Sequence, residues 1–188
     1  RYLSEECGRQ VLAVVGDSDS LVERLADLPP ESILITELGL PGQRSRDGIH
    51  LVEWLTRHCP QMKVMVYSVF SAPLLAKAVL RSGASAYISK RSPLETLKAA
   101  LECMALGQTF LDPGLHPQRH TGKPLSPTEV DILRRLARGD TVSEIAQRTM
   151  RSVSTISTHK KNAMVKIGLN SDAELIALGV MNWLHELA

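Results

Sequence analysis

A change in hydrophobic period partway along this chain constrains its fold more than any other feature. Up to residue 111 short β-branched runs alternate with helical patterns, and from Leu125 onward the pattern is helical throughout. Val11–Val15, Ser32–Thr36, Lys63–Ser68 and Ala86–Ser89 read as brief strands. Their near-continuous apolar character suits a parallel sheet covered on both faces. Each is followed by a helical pattern, over Ser18–Leu28, Asp47–Cys59, Ala72–Ser82 and Pro93–Leu106. Ser92-Pro93-Leu94-Glu95 supplies an N-cap, a proline at the first helical position and an acid at the third, and Gly83 ends the preceding helix. Strand–helix repetition at this spacing predicts a doubly wound α/β sheet with ligands at the carboxyl ends of its strands.

The period breaks over residues 112–124, where Pro113, Pro117 and Pro124 stand among two glycines and two histidines. That is linker chemistry. His116 and His120 have the spacing of a helical metal pair, but Pro117 between them argues against the helix. Beyond the linker, Ser126-Pro127-Thr128-Glu129, Thr141-Val142-Ser143-Glu144 and Ser171-Asp172-Ala173-Glu174 each read as a capping box opening a helix. A further helix runs from near Ser152 to Ile167 and stops at Gly168. Val130, Leu133, Leu136 and Ala137 form one core stripe, Ile145 and Ala146 a second, and Val153, Ile156, Ala163 and Ile167 a third. The expected organisation is an α/β domain over 1–111, a linker over 112–124 and a four-helix domain over 125–188.

Composition excludes several classes of function. With 44% apolar and 22% charged residues, the 188-residue chain can bury real cores and is not disordered. Only 4% is aromatic, which argues against a stacking platform for single-stranded nucleic acid. No run approaches the ~18 apolar residues of a membrane span, and no export leader opens the sequence. Cys7, Cys59 and Cys103 fit neither a disulfide framework nor a zinc site. The expectation is a soluble intracellular protein without metal or cofactor.

The net charge of +2 conceals an uneven distribution. No acid falls between Glu144 and Asp172, while Arg148, Arg151, Lys160, Lys161 and Lys166 all do. This basic segment coincides with a short helix, a tight turn at Met150-Arg151-Ser152 and a longer helix, the pattern of a helix-turn-helix. With Ile156, Ala163 and Ile167 facing inward, Thr155, Ser157, Thr158, Lys161, Asn162 and Val165 face outward. Arg151, Lys160, Lys161 and Lys166 are expected at phosphates. Thr155, Ser157, Thr158 and Asn162 are expected nearer base edges, and Lys161 is also within reach of a guanine.

These residues resemble the NarL/LuxR-type DNA-binding domain. Its pattern is met by Leu125-Ser126, Glu129, Glu144-Ile145-Ala146, Thr155-Ile156, His159 and Lys166-Ile167-Gly168. The first part is similar to the receiver domain of response regulators, which implies a flavodoxin-like fold. In that family a strand-end Asp is phosphorylated, a Ser/Thr at the next strand end responds, and a Lys beyond the last strand holds the phosphoryl group. Ser68 matches the hydroxyl, Lys90 the lysine and Pro41-Gly42 the loop after the acceptor.

Two departures touch the chemistry. Glu37 stands at the acceptor position, and its carboxylate reaches one methylene too far for in-line attack, beyond the ~1 Å such chemistry tolerates. The family's first strand ends in an acidic pair that holds Mg²⁺, and no such pair precedes Val11. Val11–Val15 matches the family's second strand, so Asp17 and Asp19 are not assigned to metal. The expected first strand lies between the second and third, which implies about 15–20 further residues upstream of Arg1.

The resemblance implies a cytoplasmic transcription regulator, associated with the nucleoid when bound. Its partners would be double-stranded promoter DNA and a second copy of itself, paired through Leu175, Leu178 and Val180, with a co-regulator protein left open. Glu37 would make it independent of Asp phosphorylation. Two other readings stand beside this one: a phosphorylation-competent switch whose acceptor has been replaced by a mimic, and an α/β enzyme fused to a helical bundle. Against the enzyme, the sequence carries no Gly-rich phosphate loop and no nucleophile elbow.

Overall fold

The computed structural model describes residues 1–40, 48–115 and 124–180. Two compact units divide the chain, an α/β unit of Arg1–Ser71 and Ala76–Leu115 and a helical unit that takes in Ala72–Leu75 and is otherwise described from Pro124.

In the α/β unit, α1 (Tyr2–Glu5) and α2 (Ser18–Arg24), the latter extended by a 3-10 turn over Leu25–Asp27, precede β1 (Ile33–Thr36). Then follow α3 (Gly48–His58), β2 (Lys63–Ser68), α4 (Pro73–Arg81), β3 (Ala86–Ser89), α5 (Glu95–Ala105) and β4 (Phe110–Leu111). The strands lie parallel in the order β1-β2-β3-β4. Parallel pairing needs crossovers, and α3, α4 and α5 supply them. Met65, Ala86 and Ile88 pack on Leu97, Ala100, Leu101 and Met104 of α5, with Tyr2, Leu3 and Cys7 at the margin. Strand alternation sends Val64, Val66 and Tyr87 to the opposite face, where they too are buried. Gly83 closes α4 at φ 104°, and a Cβ there would meet the Thr56 side chain at 3.0 Å.

Three expectations need correction here. Val11–Val15 is not a strand, and Val11, Leu12 and Val14 are exposed. Among the described residues β1 pairs with β2 alone, so this apolar run finds no ladder, and propensity without a partner does not make a strand. The helix expected from Pro93 begins at Glu95, because the Ser92 hydroxyl donates to Asp112 Oδ2 at 2.5 Å instead of capping. Two residues, Phe110 and Leu111, form a fourth strand too short to show a period.

The helical unit contains α6 (Pro127–Ala137), α7 (Val142–Thr149), α8 (Val153–Ile167) and α9 (Asp172–Val180). The capping boxes at Ser126/Glu129 and Thr141/Glu144 are reciprocal. The Thr141 backbone N–H and hydroxyl hold the Glu144 carboxyl below its usual range. At α9 only half the expected box forms. Ser171 accepts from Glu174 N–H at 3.2 Å, while Glu174 Oε2 takes the Asn170 N–H at 2.6 Å. Ile132, Leu133, Ile145, Ile156, Ala163, Ile167 and Leu175 make the core. Val153, expected in that core, is 51% exposed, because the first turn of α8 carries it beyond the packed stripe.

Candidate functional site

In a parallel sheet the strand ends converge, and here they bring a carboxylate, a hydroxyl and an amine to one edge. Thr36 is level with Val66 and Ser68 with Ser89, so Glu37 follows β1, Ser68 ends β2 and Lys90 follows β3. Lys90 Nζ lies 2.6 Å from Glu37 Oε2, with the two side chains 40% and 20% exposed. Glu37 Oε1 accepts the Leu38 N–H at 2.8 Å. The Lys90 ammonium also sits 5.7 Å from the centre of the Tyr67 ring, a cation–π contact that the sequence reading missed. Ser68 is buried; its Oγ accepts the Phe70 N–H at 3.2 Å and its carbonyl accepts the Lys90 N–H at 2.7 Å. Pro41 and Gly42 lie outside the described residues.

These residues do not fit a magnesium ion. Both Glu37 oxygens already have donors, and no group of three metal-ligating side chains forms among the described residues. Asp17 is occupied as the N-cap of α2, accepting the Ser20 N–H at 2.7 Å and its hydroxyl at 2.8 Å, which lowers its pKa.

Sequence inspection also passed over Asp112. Its buried carboxylate accepts from Ser89 N–H at 2.9 Å, Ser92 hydroxyl at 2.5 Å and Gly114 N–H at 2.8 Å, which ties the end of β3 to the segment after β4. A Cβ at Gly114 would stand 3.1 Å from Asp112 Oδ1 and from Ser92 Oγ. No periodic signal marks such a clasp.

In the helical unit, α7 ends at Met150 in the left-handed region (φ 53°), and Ser152 caps α8 by accepting the Thr155 N–H at 3.1 Å. Ser157, Thr158, Lys161, Asn162 and Val165 are exposed; Thr155 and His159 are half-buried. The basic segment resolves into two classes. Lys166 donates to Glu129 Oε2 at 2.7 Å, Lys160 to Asp172 Oδ2 at 2.6 Å and Arg148 to Asp140 Oδ2 at 3.1 Å. Arg151 and Lys161 are exposed and make no ion pair with the described residues. Lys166 is thus turned into the fold, to a carboxylate that also closes the α6 capping box at Ser126 N–H, 2.7 Å away. Burial pushes the Glu129 carboxyl up, but the Lys166 and Ser126 donors outweigh it and hold the group below its ordinary value.

Comparison with known proteins places these geometries. Residues 1–102 match the response regulator receiver domain, and residues 123–178 match the bacterial regulatory proteins of the luxR family. This chain belongs to the luxR-type response regulators. It is 33% identical over 167 residues to the transcriptional regulatory protein RcsB of Escherichia coli K12, spanning 85% of this regulator and 77% of that protein. The Fimbriae Z protein of Salmonella typhimurium is 31% identical over 183 residues, 93% of this chain and 85% of the relative. A structure of two RcsB dimers bound to two parallel DNAs matches with a TM-score of 0.67 at 32% identity, covering 92% of this regulator and 83% of that chain. Salmonella enterica serovar Typhimurium RcsB, bound to the promoter P1flhDC in the presence of the phosphomimetic BeF3-, also gives 0.67, at 34% identity over 88% and 83% of the two chains.

The α/β unit is therefore a receiver and the helical unit a luxR-type helix-turn-helix, as the motif resemblance implied. Among the described residues no helix is long and apolar enough to cross a membrane.

Proposed function

We propose that this regulator binds promoter duplex DNA as a symmetric dimer through α8, in the cytoplasm at the nucleoid, and without phosphorylation of an aspartate. The observation that carries the reading is the Glu37 carboxylate at the end of β1, 2.6 Å from Lys90. Glu37 stands where the family's acceptor would stand, and a permanent carboxylate there engages the lysine that otherwise holds the phosphoryl group. A phosphoryl group adds about −1.5 to −2 charge and three acceptor oxygens, so glutamate imitates it in part. That partial imitation biases the receiver toward its DNA-competent arrangement.

Arg151 and Lys161 contact phosphates, and Ser157, Thr158 and Asn162 approach base edges from the exposed side of α8. Thr155, half-buried with its hydroxyl 2.8 Å from the Ser152 hydroxyl, approaches from the flank of the same turn. Lys166 serves the fold through its pair with the buried Glu129, while Lys160, paired with the exposed Asp172, exchanges that carboxylate for a phosphate. Pairing of copies uses α9. Leu175 is buried in the unit's own core and takes no part, and the side chains of Leu178 and Val180 lie outside the described residues; Ile176 is the exposed large apolar residue of α9 among the described residues. The RcsB dimers on DNA and the RcsB promoter complex support binding of promoter DNA by paired copies.

The test is Glu37→Gln, which keeps the shape and removes the charge. Weaker operator binding or dimerisation is expected, about tenfold for the loss of one charge-assisted hydrogen bond with differential reach between states. Unchanged operator affinity and dimerisation, with the fold intact, would end the mimic reading. Intact mass after acetyl phosphate treatment should show no phosphoryl adduct on the wild type.

A further inference from the structure

The one apolar residue expected in the core of α8 and found outside it is Val153, 51% exposed in the first turn. Its row along the helix, at steps of four, continues through Ser157 to Lys161, both exposed. The row thus holds an apolar group, a short hydroxyl and a cation that makes no ion pair with the described residues. Such a sequence matches what a major groove presents from its floor to its rim. Base edges are reached by the N-terminal residues of a recognition helix and phosphates by its flanks. The one apolar group on the major-groove edge of any base pair is the thymine 5-methyl. No carboxylate lies between Glu144 and Asp172 to repel a polyanion from this row. The other exposed apolar residue of α8, Val165, lies three turns further on, outside the half of the helix that enters a groove.

Resting on the reading of α8 as the DNA-binding helix, we propose that Val153 determines specificity by packing on a thymine 5-methyl in each half-site.

The experiment uses the full chain and a duplex selected from a random-sequence library by the wild type. Each thymine of the selected site is replaced in turn by deoxyuridine, which removes only the methyl. Wild type, Val153→Ala and Val153→Thr are compared by fluorescence anisotropy, with circular dichroism confirming equal folding. The wild type should lose about three- to tenfold in affinity at one thymine per half-site. Val153→Ala should lose a similar factor on the unmodified duplex and be indifferent to deoxyuridine at that position. Val153→Thr, which retains one γ-methyl, should fall between. If the wild type binds its selected site and no deoxyuridine position distinguishes it from Val153→Ala, the inference is overturned and the DNA-binding reading stands. If the selection enriches no sequence, both fall.

Discussion

Two glutamate–lysine pairs of nearly equal length sit in opposite surroundings in the two units. Glu37–Lys90 spans 2.6 Å at the open ends of the receiver strands, and Glu129–Lys166 spans 2.7 Å inside the helical unit. The first is a fifth to two-fifths exposed. In the second, the carboxylate is only 6% exposed and also satisfies an orphan N–H at the start of α6. An ion pair in reach of water is worth little to stability, so its residues are free to answer to function. A carboxylate taken out of water must keep its donors or the fold suffers.

The contrast is sharpest under removal of the lysine. Lys166→Ala leaves Glu129 buried without its cation and should cost the helical unit about 2–3 kcal/mol, read by urea unfolding. Adding Glu129→Gln should return part of that loss. Because the folded Glu129 carboxyl lies below its unfolded value, its contribution is complete above the unfolded glutamate pKa of ~4.3 and drains away as pH falls through the folded value. The wild-type helical unit should therefore weaken below about pH 4.3, and Lys166→Ala should flatten that dependence. A loss smaller than about 0.5 kcal/mol in Lys166→Ala would reduce this pair to the standing of a surface contact.

An intermediate effect comes from the turn between the two helices of the motif. Met150, 96% exposed, is the one non-glycine residue with positive φ among the described residues. A left-handed conformation costs an L-residue roughly 1–2 kcal/mol, so Met150→Gly should raise the stability of the helical unit by about 1 kcal/mol. A lower urea midpoint would show that the side chain contributes more than its backbone costs.

The smallest stability change is expected where the largest functional effect is proposed. Glu37→Gln should alter receiver stability by less than about 1 kcal/mol in thermal unfolding. A loss as large as that of Lys166→Ala would make Glu37–Lys90 a structural pair and collapse the contrast.

Which of these features the sequence revealed follows from how local their causes are. β2 and β3 were readable to the residue because both faces are buried and the apolar runs are continuous. The caps at Ser126 and Thr141 were readable because each closes within four residues. Val11–Val15 misled because strand formation depends on a neighbouring edge, which composition cannot show. Val153 misled because periodicity does not say where along a helix its packing partner stops. The basic segment was counted correctly, yet the partners of Arg148, Lys160 and Lys166 lie 8, 12 and 37 residues away in the chain. Charge can be read from sequence, but its neutralisation belongs to the fold.

That neutralisation bears on how the regulator finds its sites. With Lys166 held by a buried carboxylate and Arg148 and Lys160 paired at the surface, Arg151 and Lys161 are the cations of the segment without an ion pair among the described residues, and on the proposed reading they displace condensed counterions first. On that reading a small number of phosphate contacts from this segment gives a weak grip on arbitrary sequence, so the millions of competing genomic positions would sequester few molecules. A regulator built this way spends little time on the wrong DNA. Its residence on the right DNA would then come from the proposed base contacts and the proposed pairing of two copies.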